Sequence, residues 1–216
     1  MLILASDSPR RKQLMSFGGW DFNVLPADID ESPRPNELPS EYVMRMALEK
    51  ANFIAEVTDA ENIIVAADTT VADGKDIMGK PTDEDEAKMM LVRLRNRVHQ
   101  VYTAIAVARF SDGFKETALC ITDVPMRNYN EQEIADYVDS GDPFDKAGGY
   151  AIQHSGFKPV KSLEGCYANV MGLPICHLGY ILRGLGQPAQ GEIVSKCQNE
   201  FDYHCAIQPF IMEGKL

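Results

Sequence analysis

The 216-residue chain has no Gly-x-x-x-x-Gly-Lys-Ser/Thr stretch, so a phosphate held by a P-loop is excluded. Gly-x-Gly-x-x-Gly and Gly-x-Ser-x-Gly are missing too, which removes a dinucleotide fingerprint and a serine-hydrolase elbow. The four histidines show no His-x-x-x-His spacing, and the five cysteines are odd in number without a paired metal spacing. Zinc therefore has no foothold, and unpaired thiols point to a reducing, cytoplasmic compartment. Positive charge is scarce: 21 Lys and Arg face 32 Asp and Glu, a net −11. General nucleic-acid and anionic-membrane partners are disfavoured. No apolar run is long enough to span a bilayer, and Met1 to Ala5, followed by Asp7, is too short for a secretory segment.

Composition is otherwise that of a globular protein, 45% hydrophobic and 25% charged, with length enough for one domain or two small lobes sharing a sheet. In an acidic shell, clustered cations carry information. Ser6-Asp7-Ser8-Pro9-Arg10-Arg11 follows the apolar run Leu2 to Ala5 and precedes Leu14, Met15 and Phe17. This pattern predicts a short strand, then a helix with Ser8 as N-cap and Pro9 at its first position. Two hydroxyls, free amides and two guanidiniums at one helix start suit a phosphate; a capped surface helix with solvated arginines is the plainer alternative.

Phe22 to Leu25 reads as a second strand and Asp28 to Pro39 as an acidic loop. From Ser40, the residues Val43, Met46, Ala47, Ala51 and Ile54 make a helical stripe with Lys50 at its edge. The apolar run Ile63 to Ala67 predicts a central strand stopping at Asp68, and Thr82 is the expected N-cap of a helix carrying Ala87, Leu91 and Leu94. A long hairpin turns at Ser111-Asp112-Gly113; Asn130 and Glu133 form a capping box for a helix that Gly141 stops. Leu173-Pro174 opens a last helix that Gly184 or Gly186 ends, and residues 187–216 show little periodicity. Strands, helices and a long hairpin in this order predict a mixed α/β sheet.

Asp68, at the mouth of a buried strand, is a candidate general base or a turn carboxylate. Glu31, beside Asp30, is a candidate oxygen ligand for a hard cation or a solvated loop residue. Gly79-Lys80-Pro81 by itself is a turn. In Asp145-Lys146-Ala147-Gly148-Gly149-Tyr150 the glycines serve either a ligand's approach or a tight bend, and Gln153 follows three residues later.

Six stretches together resemble the Maf family of nucleoside triphosphate pyrophosphatases. They are Leu4 to Arg11, Glu49-Lys50-Ala51, Ala67-Asp68-Thr69-Thr70-Val71, Gly79-Lys80-Pro81, Asp145 to Gln153 and Val170-Met171-Gly172-Leu173-Pro174. They run in family order and span residues 1–186, leaving 187–216 as a C-terminal extension without an assigned role. The resemblance implies an elongated mixed sheet flanked by helices, with two lobes around a central cleft, like the inosine triphosphatase class. It implies cleavage of a nucleoside triphosphate between its α and β phosphates, a divalent cation (Mg²⁺ or Mn²⁺), and a homodimer. Asp68 matches the family's proton acceptor and, with Glu31, a metal position. Arg11, Lys50, Lys80 and Lys146 match phosphate contacts, with Ser6 and Ser8 beside them. Arg10, Thr69 and Gln153 match the positions that track substrate choice, and this combination resembles the dTTP/UTP branch rather than the 7-methylguanosine triphosphate branch. A non-catalytic nucleotide-binding regulator of septum formation is the alternative that the family name leaves open.

Overall fold

A computed structural model describes residues 1–212 and Gly214. The strands are β1 (Leu2–Leu4), β2 (Phe22–Val24), β3 (Ile63–Asp73), β4 (Asp76–Met78), β5 (Val98–Arg109) and β6 (Phe114–Pro125). The helices are α1 (Pro9–Ser16), α2 (Pro39–Glu56), α3 (Glu84–Leu94), α4 (Glu131–Asp139), α5 (Tyr167–Met171), α6 (Ile175–Gly184), α7 (Ile193–Phe201) and α8 (Gln208–Met212). The strand order is β2-β1-β3-β5-β6, parallel on the β1 side and antiparallel from β3 to β6, with β4 pairing β3. The predicted mixed sheet is what forms.

β3 is apolar without alternation because both its faces are covered. Val65 and Ala67 pack with the cluster of α1 and α6; Ile64 and Ala66 pack against Val43, Met46 and Ile54 of α2. A third cluster gathers beyond them, where Val71, Val101 and Val124 of the long strands meet Leu91 of α3 and Tyr137 of α4. The strands β3, β5 and β6 thus run from one lobe into the other.

Local chemistry placed several boundaries correctly. The Ser8 hydroxyl accepts from Arg11 N at 3.5 Å, with Pro9 at the first position of α1. Asn130 and Glu133 form the reciprocal capping box of α4, at 2.8 and 2.9 Å. Gly141 takes φ +76° just past that helix.

Three expectations need correction. β3 does not stop at Asp68 but continues to Asp73, because β5 goes on pairing with it as far as Ala72 and Lys50 neutralises the carboxylate there. The N-cap of α3 is Asp83, whose Oδ1 accepts from Glu86 N at 2.8 Å; the Thr82 hydroxyl is spent on the Glu86 carboxylate. Past Gln187 the chain is not irregular. α7 and α8 fold back, with Ile193, Val194, Cys197 and Phe201 turning one face of α7 to the core. Phe201 stacks on Tyr167 at 4.6 Å, Trp20 Nε1 donates to the Gln187 carbonyl at 3.1 Å, and Ile193 and Ile211 join the core.

Candidate functional site

The cleft follows from unequal strand lengths. β1 pairs β3 only as far as Leu4 opposite Val65, with Ala5 N donating to the Val65 carbonyl at 2.8 Å. β4 pairs β3 only from Val71, opposite Met78, to Asp73. Between them, residues 66–70 of β3 have no neighbouring strand on that edge among the described residues. A cavity of about 730 Å³ opens there. The two-residue period of β3 sends Asp68 toward α2 and Thr69 toward α1 and α5, and the bare edge lets the cavity reach both.

Every site residue expected from the sequence lines this cavity: Ser6, Ser8, Arg10 and Arg11 from the start of α1, Glu31 from the acidic loop and Lys50 from α2. Asp68 and Thr69 come from β3, Lys80 from the turn after β4, and Lys146 and Gln153 from the other lobe. Five cations and four carboxylates share the lining, so a protein of net charge −11 holds a cavity with no excess of acid. That balance permits an anion to enter.

Lys50 lies inside the α2 stripe rather than at its edge, only 6% exposed. Its ammonium bridges Glu31 Oε1 at 2.7 Å and Asp68 Oδ1 at 2.6 Å. Burial pushes the Asp68 carboxyl up from its ordinary range, opposed by the charges of Lys50 and Arg11. Burial pushes Glu31 the same way, but the Lys50 hydrogen bond and charge, with Lys80 and Arg11 behind them, hold it below the usual value. Among the described residues, Asp68 Oδ2 is buried without a hydrogen-bond partner. An unpartnered carboxylate oxygen beside a half-exposed Glu31 suits either a water proton or a hard cation sharing its shell with substrate oxygens.

Arg11 is clamped on three sides. Nε donates to the Gly172 carbonyl at 2.8 Å, Nη1 to Ser6 Oγ at 3.1 Å and Nη2 to Thr69 Oγ1 at 3.1 Å. Burial pulls its basicity down while Asp68 and Glu31 restore part of it. Thr69 Oγ1 in turn lies 3.0 Å from Thr103 Oγ1, which donates to the Asn169 carbonyl at 3.0 Å. Lys80 is exposed and has no ion-pair or hydrogen-bond partner among the described residues, which leaves its ammonium for an anion. Lys146 differs. Its three N–H face Asp142 O at 2.6 Å, Asp142 Oδ1 at 2.9 Å and Asp145 Oδ1, so this ammonium is already spent. The expected phosphate contact from Lys146 does not fit that geometry.

The glycines of the Asp145–Tyr150 turn serve packing. Gly148 has φ +69°, and a Cβ there would come within 2.9 Å of the Val71 side chain; its N–H donates to the Gly79 carbonyl at 2.9 Å. The turn is thereby pressed onto β3 beside Lys80. The acidic loop is fastened comparably. Arg45 grips Glu37 at 2.6 and 2.7 Å and donates to the Ser32 carbonyl at 3.1 Å, while the Tyr42 hydroxyl donates to the Glu31 carbonyl at 2.9 Å. Arg45, Tyr42, Thr103 and Asn169 were not among the residues expected to matter. Thr103, a hydroxyl directly before the apolar run 104–108 of β5, was the one visible signal.

Residues 1–185 match the family described as Maf-like protein. A protein of Hahella chejuensis named dTTP/UTP pyrophosphatase is 45% identical over 187 residues, 86% of this chain and 92% of that one. A protein of Syntrophus aciditrophicus with the same name is 40% identical over 185 residues, 86% of this chain and 90% of that one. The solved Ham1 protein of Staphylococcus aureus aligns over 100% of this chain and 99% of its own, at 13% identity and a TM-score of 0.47.

Proposed function

The chain belongs to the Maf-like protein family, and from that premise we propose that its cleft hydrolyses dTTP and UTP to the monophosphate and pyrophosphate. The observation that carries the reading is the unpartnered Asp68 Oδ2, buried at the uncovered edge of β3 and surrounded by cations. Asp68 takes a proton from the attacking water. The water oxygen bonds to the α phosphorus as the bond from that phosphorus to the α–β bridging oxygen breaks, and the electron pair leaves on that oxygen with pyrophosphate. Arg11 and Lys80 hold the phosphates and offset the charge that builds there, so catalysis rests on positioning and electrostatics. Lys50 aims Asp68 and opposes the effect of burial on its charge.

Glu31 and Asp68 are the oxygen donors for a divalent cation, Mg²⁺ or Mn²⁺. Two carboxylates plus substrate oxygens are a customary shell for Mg²⁺. When bound, the cation neutralises phosphate charge. Arg10, Thr69 and Gln153 choose the nucleotide. Gln153 offers both a donor and an acceptor to a pyrimidine edge, and a site built on such hydrogen bonds strongly rejects a base that leaves them unpaired. Unpaired cysteines favour a cytoplasmic setting. No described helix is long and apolar enough to cross a membrane. A homodimer is part of the proposal, and light scattering tests it.

The deciding experiment is pyrophosphate release across dTTP, UTP, CTP, GTP, ATP and 7-methyl-GTP with Mg²⁺ and with Mn²⁺. Turnover led by dTTP and UTP, and lost by about 10²-fold or more in Asp68→Asn with nucleotide binding retained, supports the reading. Activity confined to 7-methyl-GTP overturns the substrate assignment. Binding without hydrolysis overturns catalysis and favours a regulator.

A further inference from the structure

Arg10 and the segment carrying Gln153 come from opposite sides of the cleft, yet one polar network joins them. Arg10 Nη1 meets Asp145 Oδ2 at 3.0 Å, and Nη2 donates to the Asp145 carbonyl at 3.4 Å. Lys146 holds the other Asp145 oxygen and both oxygens that Asp142 offers it. Asp142 Oδ2 accepts from the Tyr137 hydroxyl at 2.7 Å, and that hydroxyl accepts from Ala151 N at 2.9 Å. Tyr137 is 2% exposed; its ring stacks on Phe157 at 4.3 Å and meets His154 edge-on at 4.8 Å. The turn from Ala151 to Phe157 is therefore pinned on the same phenol that anchors Asp142.

Asp145 itself is a carboxylate facing a cavity that takes anions, with 61% of its side chain exposed. A carboxylate there opposes phosphate binding, and the partners it holds are Arg10 and Lys146. Its effect is on Arg10. A guanidinium without a partner beside a triphosphate turns to the phosphates, where charge is greatest. Paired with Asp145 on both terminal nitrogens, Arg10 is nearly neutralised and fixed in direction, and its remaining N–H groups are left for a neutral acceptor.

We propose that Asp145 is a positioning residue for nucleotide choice, reserving Arg10 for a carbonyl oxygen of the base and, through Lys146, Asp142 and Tyr137, setting Arg10 and Gln153 in one frame. This deepens the reading above and rests on it. Lys146 accordingly acts on Asp145 and Asp142 rather than on substrate.

The test is kcat and KM for dTTP and GTP in the full chain, for wild type, Asp145→Ala, Asp145→Asn, Tyr137→Phe, Arg10→Met and the double variant Arg10→Met/Asp145→Ala. Asp145→Ala should lower the dTTP-over-GTP ratio of kcat/KM about tenfold, chiefly through the KM for dTTP, as expected when one directed hydrogen bond to a base is lost. Asp145→Asn should fall between the two, and Tyr137→Phe should lower the ratio in the same direction. In the Arg10→Met background, Asp145→Ala should change the ratio by less than about twofold, since its target is gone. A purely structural role would lower the melting temperature and turnover on both nucleotides alike. An unchanged ratio in Asp145→Ala, or additive effects with Arg10→Met, overturns the inference while leaving the pyrophosphatase reading intact. A wild-type protein that does not release pyrophosphate from dTTP or UTP overturns both.

Discussion

Lys50→Met removes the ammonium that lies 2.7 Å from Glu31 and 2.6 Å from Asp68 and keeps an apolar chain of similar length in the α2 face. The two carboxylates then fare differently. Glu31 has 47% of its side chain exposed and turns to water at little cost. Asp68, 5% exposed, loses the one partner of Oδ1 while Oδ2 already has none. Stranding a buried charge by removing its partner costs about 3–5 kcal/mol. Part of that is recovered by protonation, at about 1.4 kcal/mol for each unit that the carboxyl rises. A loss of ~2–4 kcal/mol is expected at neutral pH, smaller in acid. The acid limb of kcat, which reports an ionised Asp68, should move to higher pH as the opposing charge of Lys50 is lost. Denaturant melts at several pH values and a pH–rate profile measure both. The sharper check is the double variant Lys50→Met/Asp68→Asn, which should regain much of the lost stability because no buried carboxylate is left without its cation. A single variant as stable as wild type, or a double variant no more stable than the single, refutes the account of Lys50 as the counter-ion of Asp68.

Gly172→Ala should weaken the Arg11 clamp: φ is +107°, and the added Cβ would sit 3.2 Å from Thr69 Oγ1 and 3.5 Å from Arg11 Nε. A loss of about 1–3 kcal/mol is expected with a raised KM for nucleotide, and unchanged melting and KM would count against the clamp. The Glu37 carboxyl is held down to about 2, chiefly by its hydrogen bonds to Arg45, against an ordinary 4.5. A depressed carboxylate stabilises the fold above its unfolded value and loses that contribution as pH falls through its folded one. Glu37→Gln should therefore flatten the decline of melting temperature between pH 4.5 and about 2; an identical decline in the variant would show that the Arg45–Glu37 pair does not fasten the acidic loop. His99 and His177 are pushed down to about 4 by burial, so both stay neutral in the fold. The unfolded chain takes up protons below about 6.5 that the folded chain refuses. Stability should fall from pH 6.5 toward 4, and hydrogen exchange or melts that show no such fall would contradict the burial of neutral imidazoles.

Much of the fold was legible because it is written in short-range chemistry. Ser8-Pro9 starts α1, Asn130 and Glu133 start α4, and Ser111-Asp112-Gly113 turns the hairpin, each by contacts within a few residues. The order of motifs, and with it the family, is likewise a property of the chain read end to end. The extension after Gln187 was hard to read because the stripe Ile193, Cys197 and Phe201 spans only the nine residues of α7, and the Phe201 contacts to Phe17 and Tyr167 join segments far apart in the chain.

The sequence by itself determined which chemical groups this protein owns and in what local settings: a carboxylate after an apolar strand, two arginines at a helix start, a lysine within an apolar helix. Tertiary structure alone decided what those groups do to one another. β1 ends at Leu4 while β3 continues to Asp73, and that difference in length opens the cleft at Asp68. Lys50 faces two carboxylates from distant segments, and Arg10 is matched to Asp145, 135 residues away. Charge and hydrogen bonding act across space at a few ångströms, whereas a sequence pattern records only neighbours along the chain. Lys146 shows the consequence: its motif reads as a phosphate ligand, and its surroundings make it the support of a carboxylate.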